Sequence, residues 1–426
     1  MKNKKLEFKV LLYLLLFTTQ IFAGIDIYVQ AVKSGQRIDL GVSKFFSKDM
    51  ELLKAAQQLQ NIVRDDLMFI RLFNVVEPGW QYIPNKAVSE KWQQYGIDVV
   101  VCGEISLENN KYILIGTMYD IATMEKIYEE KFRSSDLRYV AHLFSDNIVR
   151  AFTGEYGIAT TQIVFVNDIT GYKEIYKMDY DGYNLQQLTY DKSINIHPRV
   201  SPDGQKIIYT TYKDKNPDLY IMDYNGKNSK PLSDFQGLNV TANWSYDGEK
   251  IVLTLTKAKH SPNLYIMELA TKKLWRLTAD NTIDVSGFFS PNNREIVFVS
   301  NRSGLPQLYI TSIDGSNIRR LPTAGYSSSP VWSPKGDKIV FTMETRKNLF
   351  DIFLYDIAKN EYYRLTYGEG SNESPYFSPD GRFIVFVSNR NGKWELFTMF
   401  IDGSNQRRIK EIKGNCYYPC WTPRRI

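Results

Sequence analysis

A tetrapeptide that returns at nearly constant spacing is the feature of this chain that most constrains its fold. Its fullest form is Ser201-Pro202-Asp203-Gly204, and altered copies follow to the end of the sequence. The copies begin at Ser201, Ser245, Ser290, Ser333, Ser378 and Thr422, which gives spacings of 44, 45, 43, 45 and 44 residues. A period of this length is typical of the blades of a β-propeller. Because one such unit cannot bury a core alone, we expect the repeats to pack into a single domain.

Each repeat contains the same order of strand-like segments. In one example, residues 296–299 (IVFV) are followed by residues 307–310 (QLYI) and then by Arg320-Leu321. Short runs of β-branched and aromatic residues between turn formers predict strands. Asp314-Gly315 predicts a tight turn between two of them. Together with the segment before each tetrapeptide, every repeat therefore predicts a blade of four antiparallel strands.

The two ends of the repeat region indicate how the ring closes. Strand-like segments at 163–166, 174–179 and 187–189 form three strands of a blade, but no tetrapeptide precedes them. Residues 418–423 supply the missing first strand at the far end of the chain. We therefore predict a six-bladed, all-β propeller over residues 162–426, closed by the C-terminal strand. An open superhelix is the alternative, but it would leave two exposed sheet edges.

The first 23 residues have the pattern of a secretory signal peptide. Four lysines among residues 2–9 precede an apolar run at 10–17, and Ala23 offers a small residue at the cleavage site. The apolar run is short for a membrane span, so an uncleaved anchor is the less favoured alternative. We expect the mature protein to be exported and to contain no membrane-spanning segment.

Charge and cysteine content exclude several classes of protein. The net charge is +6, and removal of four Lys and one Glu with residues 1–23 leaves +3. This small excess does not indicate a nucleic-acid partner. The three cysteines, Cys102, Cys416 and Cys420, are too few for a disulfide framework. The metalloprotease motif His-Glu-x-x-His is absent from the sequence. We predict no cofactor and no bound metal, although an ion in the propeller channel stays open.

Residues 24–155 lack the repeat and predict a small α/β domain. Helical periodicity runs from Met50 to Leu67, and a short helix is predicted at 88–95. Strands are predicted at 97–101, 112–116 and 126–128. A last helix over residues 135–152 is expected to be capped by Ser134 or Ser135 and followed by Gly154.

An alternating segment stands at the start of the mature chain. This N-terminal arm consists of Gly24, Ile25, Asp26, Ile27, Tyr28, Val29 and Gln30. Its pattern predicts a half-buried edge strand or a strand that awaits a partner. Ordering seven residues costs about 7–14 kcal/mol, and burial of three aliphatic side chains returns about 5–9 kcal/mol. Because these terms nearly cancel, the arm is hypothesised to dock or detach with binding elsewhere; a permanently docked strand is the alternative.

One position in each blade is predicted to lie at the mouth or on the wall of the central channel. It stands four residues before each repeat serine or threonine, on the innermost strand. The six residues at this position are His197, Thr241, Ser286, Ser329, Ser374 and Tyr418. All are polar or small, and we hypothesise that they form a partner surface. A polar lining of a water-filled channel without a partner is the alternative.

Several motifs outside the tetrapeptide carry a resemblance to a known family. They are Leu137-Arg138-Tyr139, His142, Ser145-Asp146, Thr153-Gly154, Gly96-Ile97-Asp98 and residues 179–184 (DYDGYN). Together with the order of signal peptide, α/β domain and six-bladed ring, they resemble the TolB family, the periplasmic propeller component of the Tol–Pal system. The resemblance covers the whole chain.

The resemblance implies a non-catalytic role in protein interactions. Members of the family bind the lipoprotein Pal at one mouth of the propeller and offer their mature N-terminal arm to TolA. By position, residues 24–30 match this arm. The implied location is the periplasm, and the implied role is support of outer-membrane integrity and cell division. A monomer is expected, and the sequence does not indicate which mouth binds the partner.

Two other functions stay open from the residues alone. A secreted hydrolase would need a nucleophile motif Gly-x-Ser-x-Gly, and the nearest segment, residues 325–329 (GYSSS), does not match it. A glycosidase needs only a pair of carboxylates, such as Asp284 and Glu373, with no fixed spacing in sequence. A propeller that binds peptidoglycan or another sugar is the remaining alternative.

Overall fold

The computed structural model describes residues 28–30, 35–257, 261–279 and 281–424. The predicted signal peptide and the first four residues of the N-terminal arm, 24–27, lie outside these residues. The chain divides into two compact units, with the boundary between Thr160 and Thr161. None of the described helices is both long and apolar enough to cross a membrane.

Between residues 35 and 160, the first unit is a five-stranded mixed sheet with three α-helices. Its elements are β1 (Ile38–Val42), a 3₁₀ turn (Met50–Leu52), α1 (Leu53–Ile70), β2 (Phe73–Val76), α2 (Lys86–Gln93), β3 (Val99–Glu108), β4 (Lys111–Asp120), β5 (Lys126–Ser134) and α3 (Leu137–Thr153). The strand order is β2-β1-β3-β4-β5. The first three strands of this order are parallel and the last three antiparallel. The sequence analysis found α1 to α3 and β3 to β5, but it did not predict β1 or β2.

Helix α3 is held at both ends by capping residues. Asp136, and not Ser134 or Ser135, is its N-cap, because its carboxylate accepts hydrogen bonds from the backbone of Arg138 and Tyr139. Gly154 ends the helix with φ at 79°, as predicted. The buried face of α3 presents Val140, Phe144, Ile148 and Phe152, all fully inaccessible to solvent.

The end of the N-terminal arm differs from the predicted strand. Tyr28, Val29 and Gln30 have helical backbone conformation, so the strand prediction is wrong for these three residues. Tyr28 donates a hydrogen bond of 2.7 Å to a carboxylate oxygen of Asp120. Its ring packs edge-on against Phe152 with centroids 6.1 Å apart. Burial and the Asp120 carboxylate both raise the pKa of the Tyr28 phenol. These contacts fasten the described end of the arm to the α/β unit.

The second unit consists of six four-stranded antiparallel sheets. Blade 1 combines β29 (Cys416–Trp421) with β6 (Gln162–Asn167), β7 (Glu174–Asp179) and β8 (Gln186–Gln187). Blade 2 contains β9 (Asn195–Val200), β10 (Lys206–Thr211), β11 (Asp218–Asp223) and β12 (Lys230–Ser233). Blade 3 contains β13 (Asn239–Trp244), β14 (Lys250–Leu255), β15 (Asn263–Glu268) and β16 (Leu274–Arg276).

The remaining three blades repeat this arrangement. Blade 4 contains β17 (Asp284–Phe289), β18 (Glu295–Ser300), β19 (Gln307–Ser312) and β20 (Arg319–Arg320). Blade 5 contains β21 (Ser327–Trp332), β22 (Lys338–Arg346), β23 (Leu349–Asp356) and β24 (Glu361–Arg364). Blade 6 contains β25 (Asn372–Phe377), β26 (Phe383–Ser388), β27 (Glu395–Phe400) and β28 (Arg407–Arg408).

The C-terminal strand closes the ring as predicted. β29 pairs antiparallel with β6, and Trp421 lies opposite Ile163. Beyond the strand, two further hydrogen bonds join Thr422 to Gln162. The Thr422 backbone N–H donates to the Gln162 carbonyl, and the Gln162 backbone N–H donates to the Thr422 hydroxyl. The inner strands β29, β9, β13, β17, β21 and β25 contact one another in this order, and β25 contacts β29. The predicted six-bladed propeller is therefore confirmed.

The repeated tetrapeptide is a turn between the first and second strands of blades 2 to 6. In blade 2 the Ser201 hydroxyl donates to the Asp203 carboxylate at 2.5 Å and accepts from the Lys206 backbone at 2.9 Å. The same carboxylate accepts from the backbone of Gln205, and Gly204 has φ at 71°. Short polar side chains and a glycine are what such a turn requires. The repeat that defines the sequence is therefore a structural element, and it does not by itself form a functional site.

Candidate functional site

Six residues at the start of the inner strands share an unusual backbone conformation. They are the residues predicted to lie on the channel, and their φ angles lie between 49° and 56°. In chain order they are His197, Thr241, Ser286, Ser329, Ser374 and Tyr418, which we call the mouth ring. Non-glycine residues with positive φ are uncommon, and a β-branched residue such as Thr241 is an outlier there. Recurrence in all six blades shows that the fold imposes this conformation.

A β-bulge accompanies each residue of the mouth ring. The pairing between the first and second strands shifts register at this point in every blade, for example between Val240 and Asn243 in blade 3. A bulge bends its strand and redirects a side chain, and bulges are frequent next to binding sites. At each of the six residues, the bulge therefore interrupts the regular alternation of side chains between the two faces of the inner strand.

The mouth ring lines one cavity at the axis of the propeller. All six residues contribute to it, and all six are half-buried. The cavity measures about 30 Å³, which is room for only one or two water molecules. The rings of His197 and Tyr418 nearly touch across a blade boundary, with centroids 4.0 Å apart. Thr241 shares a hydrogen bond of 2.8 Å with the hydroxyl of Thr254.

Burial governs the ionisation of the groups around this cavity. It lowers the pKa of His197 to about 3, and the positive charges of Arg199 and Lys173 act in the same direction. Burial also raises the pKa of Tyr418, with a further contribution from the Glu373 carboxylate. The pKa of Glu373 itself is raised by burial. The mouth ring is therefore uncharged at neutral pH, and His197 offers a neutral imidazole.

The side chains two residues further along each inner strand form an inner ring, and all of them except Cys420 line a second cavity of the channel. This inner ring consists of Arg199, Asn243, Phe288, Val331, Tyr376 and Cys420. Phe288 and Tyr376 meet edge-to-face with centroids 6.0 Å apart, and the Arg199 guanidinium lies 5.2 Å from the centre of the Tyr376 ring. This second cavity measures about 210 Å³ and lies among the tetrapeptide turns.

The end of the propeller that carries the mouth ring also exposes large apolar side chains. Adjacent strands of a blade run antiparallel, so loops between blades and loops between second and third strands meet at this end. Nine exposed large hydrophobic residues lie in these loops among the described residues: Ile169, Tyr172, Tyr190, Ile194, Phe235, Ile283, Leu305, Tyr326 and Tyr367. We call this set the apolar rim. In the described loops of the opposite end, only Tyr183, Leu185 and Ile318 belong to this class.

The carboxylates considered for a glycosidase do not form a pair in the channel. Asp284 is fully buried, and both its carboxylate oxygens lie 3.2 Å from Nη2 of Arg302. Glu373 is half-buried and accepts a hydrogen bond of 2.9 Å from the Ser371 hydroxyl. Asp284 therefore has a structural partner, and the arrangement does not provide the paired carboxylates that glycoside hydrolysis requires.

Sequence reasoning located the mouth ring but missed what surrounds it. The fixed offset from the tetrapeptide was sufficient to identify the six positions. The positive φ angles could not be predicted from the sequence, because glycine, the residue that usually marks such a conformation, occupies none of the six positions. The apolar rim lies in loops of different length and has no common spacing, so only the fold reveals that its residues share one end of the propeller.

Comparison with known proteins identifies both units of the chain. A family model described as the TolB β-propeller domain matches residues 149–425. A second, described as the TolB amino-terminal domain, matches residues 26–127. The match to the propeller domain covers more than half of the chain and carries the family assignment.

Individual relatives agree with these matches. A protein named Protein TolB homolog from Chlorobium luteolum is 30% identical over 413 residues, which span 93% of this chain and 92% of the relative. The Tol-Pal system protein TolB of Geobacter sulfurreducens is 35% identical over 159 residues, 36% of this chain and 37% of the relative. The crystal structure of TolB from Acinetobacter baumannii superposes with a TM-score of 0.78 at 25% identity, covering 91% of this chain and 97% of the other. The chain therefore belongs to the TolB family of the Tol–Pal system.

Proposed function

We propose that this chain is a non-catalytic, periplasmic interaction component of its Tol–Pal system. In this proposal the mouth ring and the apolar rim bind the lipoprotein Pal, and the N-terminal arm binds TolA. The assembly then supports outer-membrane integrity and cell division. Membership of the TolB family supports the system, and the two surfaces are argued below from this chain's own residues.

The mouth ring is the observation that carries the Pal proposal. Its six residues hold a costly backbone conformation, and such strain clusters at binding sites. They supply hydroxyl groups and one neutral imidazole, which can exchange hydrogen bonds with a partner without the desolvation cost of a charge. The cavity that they line has room for only one or two water molecules, so a partner would lie over the mouth ring and place no more than the tip of a small side chain at the axis.

The apolar rim favours this end of the propeller over the other. Interface cores are enriched in tyrosine and other aromatic residues, and the described loops expose nine large apolar residues at this end against three at the other. Tyr190 and Tyr367 are the most exposed of the set, at 70% and 68%. A partner seated over the channel would cover these rings while it reached the mouth ring. We therefore place the Pal surface at the mouth-ring end.

For the N-terminal arm, the contacts of Tyr28 support a docked state. Among the described residues of the arm, Tyr28 makes one hydrogen bond to Asp120 and one ring contact with Phe152. A single hydrogen bond and one aromatic pair contribute about 1–3 kcal/mol together. A partner that binds residues 24–30 can offset a contact of this strength, so the arm is suited to exchange between this unit and TolA.

Affinity capture from an envelope extract tests both parts of the proposal. The wild-type mature protein is expected to retain Pal and TolA. Substitution of Thr241→Arg together with Ser286→Arg places two charges in a narrow cavity whose mouth-ring residues are uncharged, and it should reduce captured Pal at least tenfold. Deletion of residues 24–30 should remove TolA. Quantitative immunoblotting of both partners provides the measurement.

A matched control is available on the same two blades. Thr271 and Ser316 lie exposed in the outer hairpins of blades 3 and 4. The double substitution Thr271→Arg and Ser316→Arg introduces the same charge into the same residue types and should leave Pal capture unchanged. Full Pal capture by the Thr241/Ser286 variant would show that the mouth ring is not the partner surface. Undiminished TolA capture without residues 24–30 would contradict the role of the arm.

A further inference from the structure

The second cavity of the channel has the size and lining of a small-molecule site. It opens among the tetrapeptide turns, at the end opposite the mouth ring, and we call it the aromatic cavity. Four prolines and seven aromatic residues contribute to its wall; the aromatic ones are Trp244, Tyr246, Phe288, Trp332, Tyr376, Phe377 and Trp421. An apolar cavity of about 150 Å³ accommodates benzene. A cavity of about 210 Å³ therefore has room for one aromatic ring with a short polar extension.

Tyr246 of blade 3 adds a polar aromatic side chain to the wall of this cavity, at a position where the other blades carry proline. Its backbone donates a hydrogen bond of 2.7 Å to Asn293 of the next blade. Its phenol reaches to within 3.5 Å of the Trp332 carbonyl, two blades away. Burial raises the pKa of this phenol, so it remains a neutral hydrogen-bond donor. Tyr246 thereby encloses one side of the cavity.

Arg199 is the one charged residue of the cavity wall. Its Nε donates a hydrogen bond of 2.8 Å to the Asn243 amide oxygen, and its Nη1 donates one of 2.8 Å to the Pro198 carbonyl. Its guanidinium also faces the Tyr376 ring. The equivalent position in every other blade is uncharged: Asn243, Phe288, Val331, Tyr376 and Cys420.

The partners of Arg199 leave its charge uncompensated. Within the described part of the chain, no carboxylate lies at ion-pair distance from it. Other partly buried arginines of the propeller do have one, for example Arg302 with Asp284 and Arg364 with Asp351. A guanidinium in apolar surroundings is stabilised best by a carboxylate, which it can bind through two hydrogen bonds. The Nη2 group of Arg199 has no protein partner among the described residues, and the Arg199 side chain lines both the aromatic cavity and the cavity of the mouth ring.

We propose that the aromatic cavity binds a small carboxylate that carries an apolar or aromatic group. The carboxylate accepts hydrogen bonds from Arg199, and the apolar group packs against Trp244 and Tyr376. A free carboxylic acid and the C-terminal residue of a peptide both present this chemistry. The site opens at the end of the channel opposite the Pal surface, although Arg199, Asn243 and Val331 line both cavities.

Calorimetric titration of the mature protein tests the proposal with three probes. N-acetylphenylalanine has both required groups, N-acetylphenylalaninamide lacks the charge, and N-acetylglycine lacks the ring. We expect the first to bind, and each of the others to bind at least tenfold more weakly, because a charge-assisted hydrogen bond or a buried ring is lost. Equal binding of acid and amide, or no binding of the acid, would overturn the proposal.

Two variants locate the binding on the protein. Arg199→Gln should weaken the binding of N-acetylphenylalanine at least tenfold. Arg276→Gln should not, because this arginine is exposed and, among the described residues, donates only to the backbone carbonyl of Thr278. If circular dichroism shows that Arg199→Gln is unfolded, the ratio of acid to amide affinity on the unaltered protein decides. Thr241→Arg with Ser286→Arg should retain acid binding, which separates this site from the Pal surface. Tighter binding of a peptide that ends in phenylalanine than of the free acid would assign the natural ligand to a peptide C-terminus.

Discussion

His197 shows how burial sets the chemistry of a single residue at the mouth of the channel. Its imidazole packs against Tyr418, and burial together with Arg199 and Lys173 lowers its pKa to about 3. In the unfolded chain a histidine titrates near 6.5. Between these two values the unfolded state binds a proton that the folded state excludes. Acidification in this window therefore favours unfolding, by up to about 1.4 kcal/mol per pH unit.

A pH series on one variant tests this account. The free energy of unfolding, measured in urea at pH 7.5 and pH 5.0, should fall by about 1–2 kcal/mol more in the wild type than in His197→Gln. Glutamine keeps a polar side chain but cannot take up a proton. An identical pH dependence of the two proteins would show that His197 is protonated as readily in the fold as in the unfolded chain.

The inner strand is the element in which the mouth ring arises. Each of the six inner strands places one residue in the left-handed region, where an L-residue costs about 1–2 kcal/mol relative to glycine. This cost recurs in every blade, so it belongs to the propeller's inner strand and not to one sequence. Ser329 and its neighbour Ser328 allow the cost to be measured, because only Ser329 has positive φ.

Three substitutions on β21 should change the free energy of unfolding in different directions. Ser329→Gly should raise the free energy of unfolding by about 0.5–1 kcal/mol, since it relieves the strain. Ser329→Val should lower it by about 1–2 kcal/mol, because a β-branched residue fits this region poorly. Ser328→Gly, the matched control, should lower it by about 0.5–1 kcal/mol. Chemical denaturation provides the measurement, and a loss of stability in Ser329→Gly equal to that in Ser328→Gly would contradict the assignment of strain.

For the whole molecule, stability depends on the contact between the two ends of the propeller. β29 supplies the inner strand of blade 1, and its Cys420 and Trp421 are buried. Without it, β6 would become an exposed edge, and the neighbouring blades would lose part of their cores. A ring closed in this way unfolds as a unit, because no blade is complete until the last strand is in place.

Truncation tests this dependence. Removal of residues 416–426 should abolish the near-ultraviolet circular dichroism of the packed aromatic residues and produce aggregation, because loss of the Trp421 side chain alone costs about 3–5 kcal/mol. Removal of residues 425–426 serves as the control and should leave the signal intact. A shortened chain that retains a cooperative thermal transition at the wild-type temperature would contradict the closure argument.

Much of the architecture could be predicted because it follows from local patterns. The tetrapeptide marks a turn by its own side-chain chemistry, and the missing first strand near residue 162 required a replacement from the far end. The N-terminal unit was predicted less completely. β1 and β2 have no repeat to identify them, and their place in the sheet comes from parallel pairing with distant segments. The helical conformation of Tyr28 to Gln30 was also missed, because an alternating pattern alone favours a strand.

The sequence by itself determined the number of blades, the way the ring closes and the six positions of the mouth ring, since each depends on spacing along the chain. Only the tertiary structure decided which end of the propeller exposes the apolar rim, that the mouth ring has positive φ, and that Arg199 faces an aromatic cavity without a carboxylate. These features depend on which residues meet across blade boundaries. Such contacts join segments dozens of residues apart, and no local pattern encodes them.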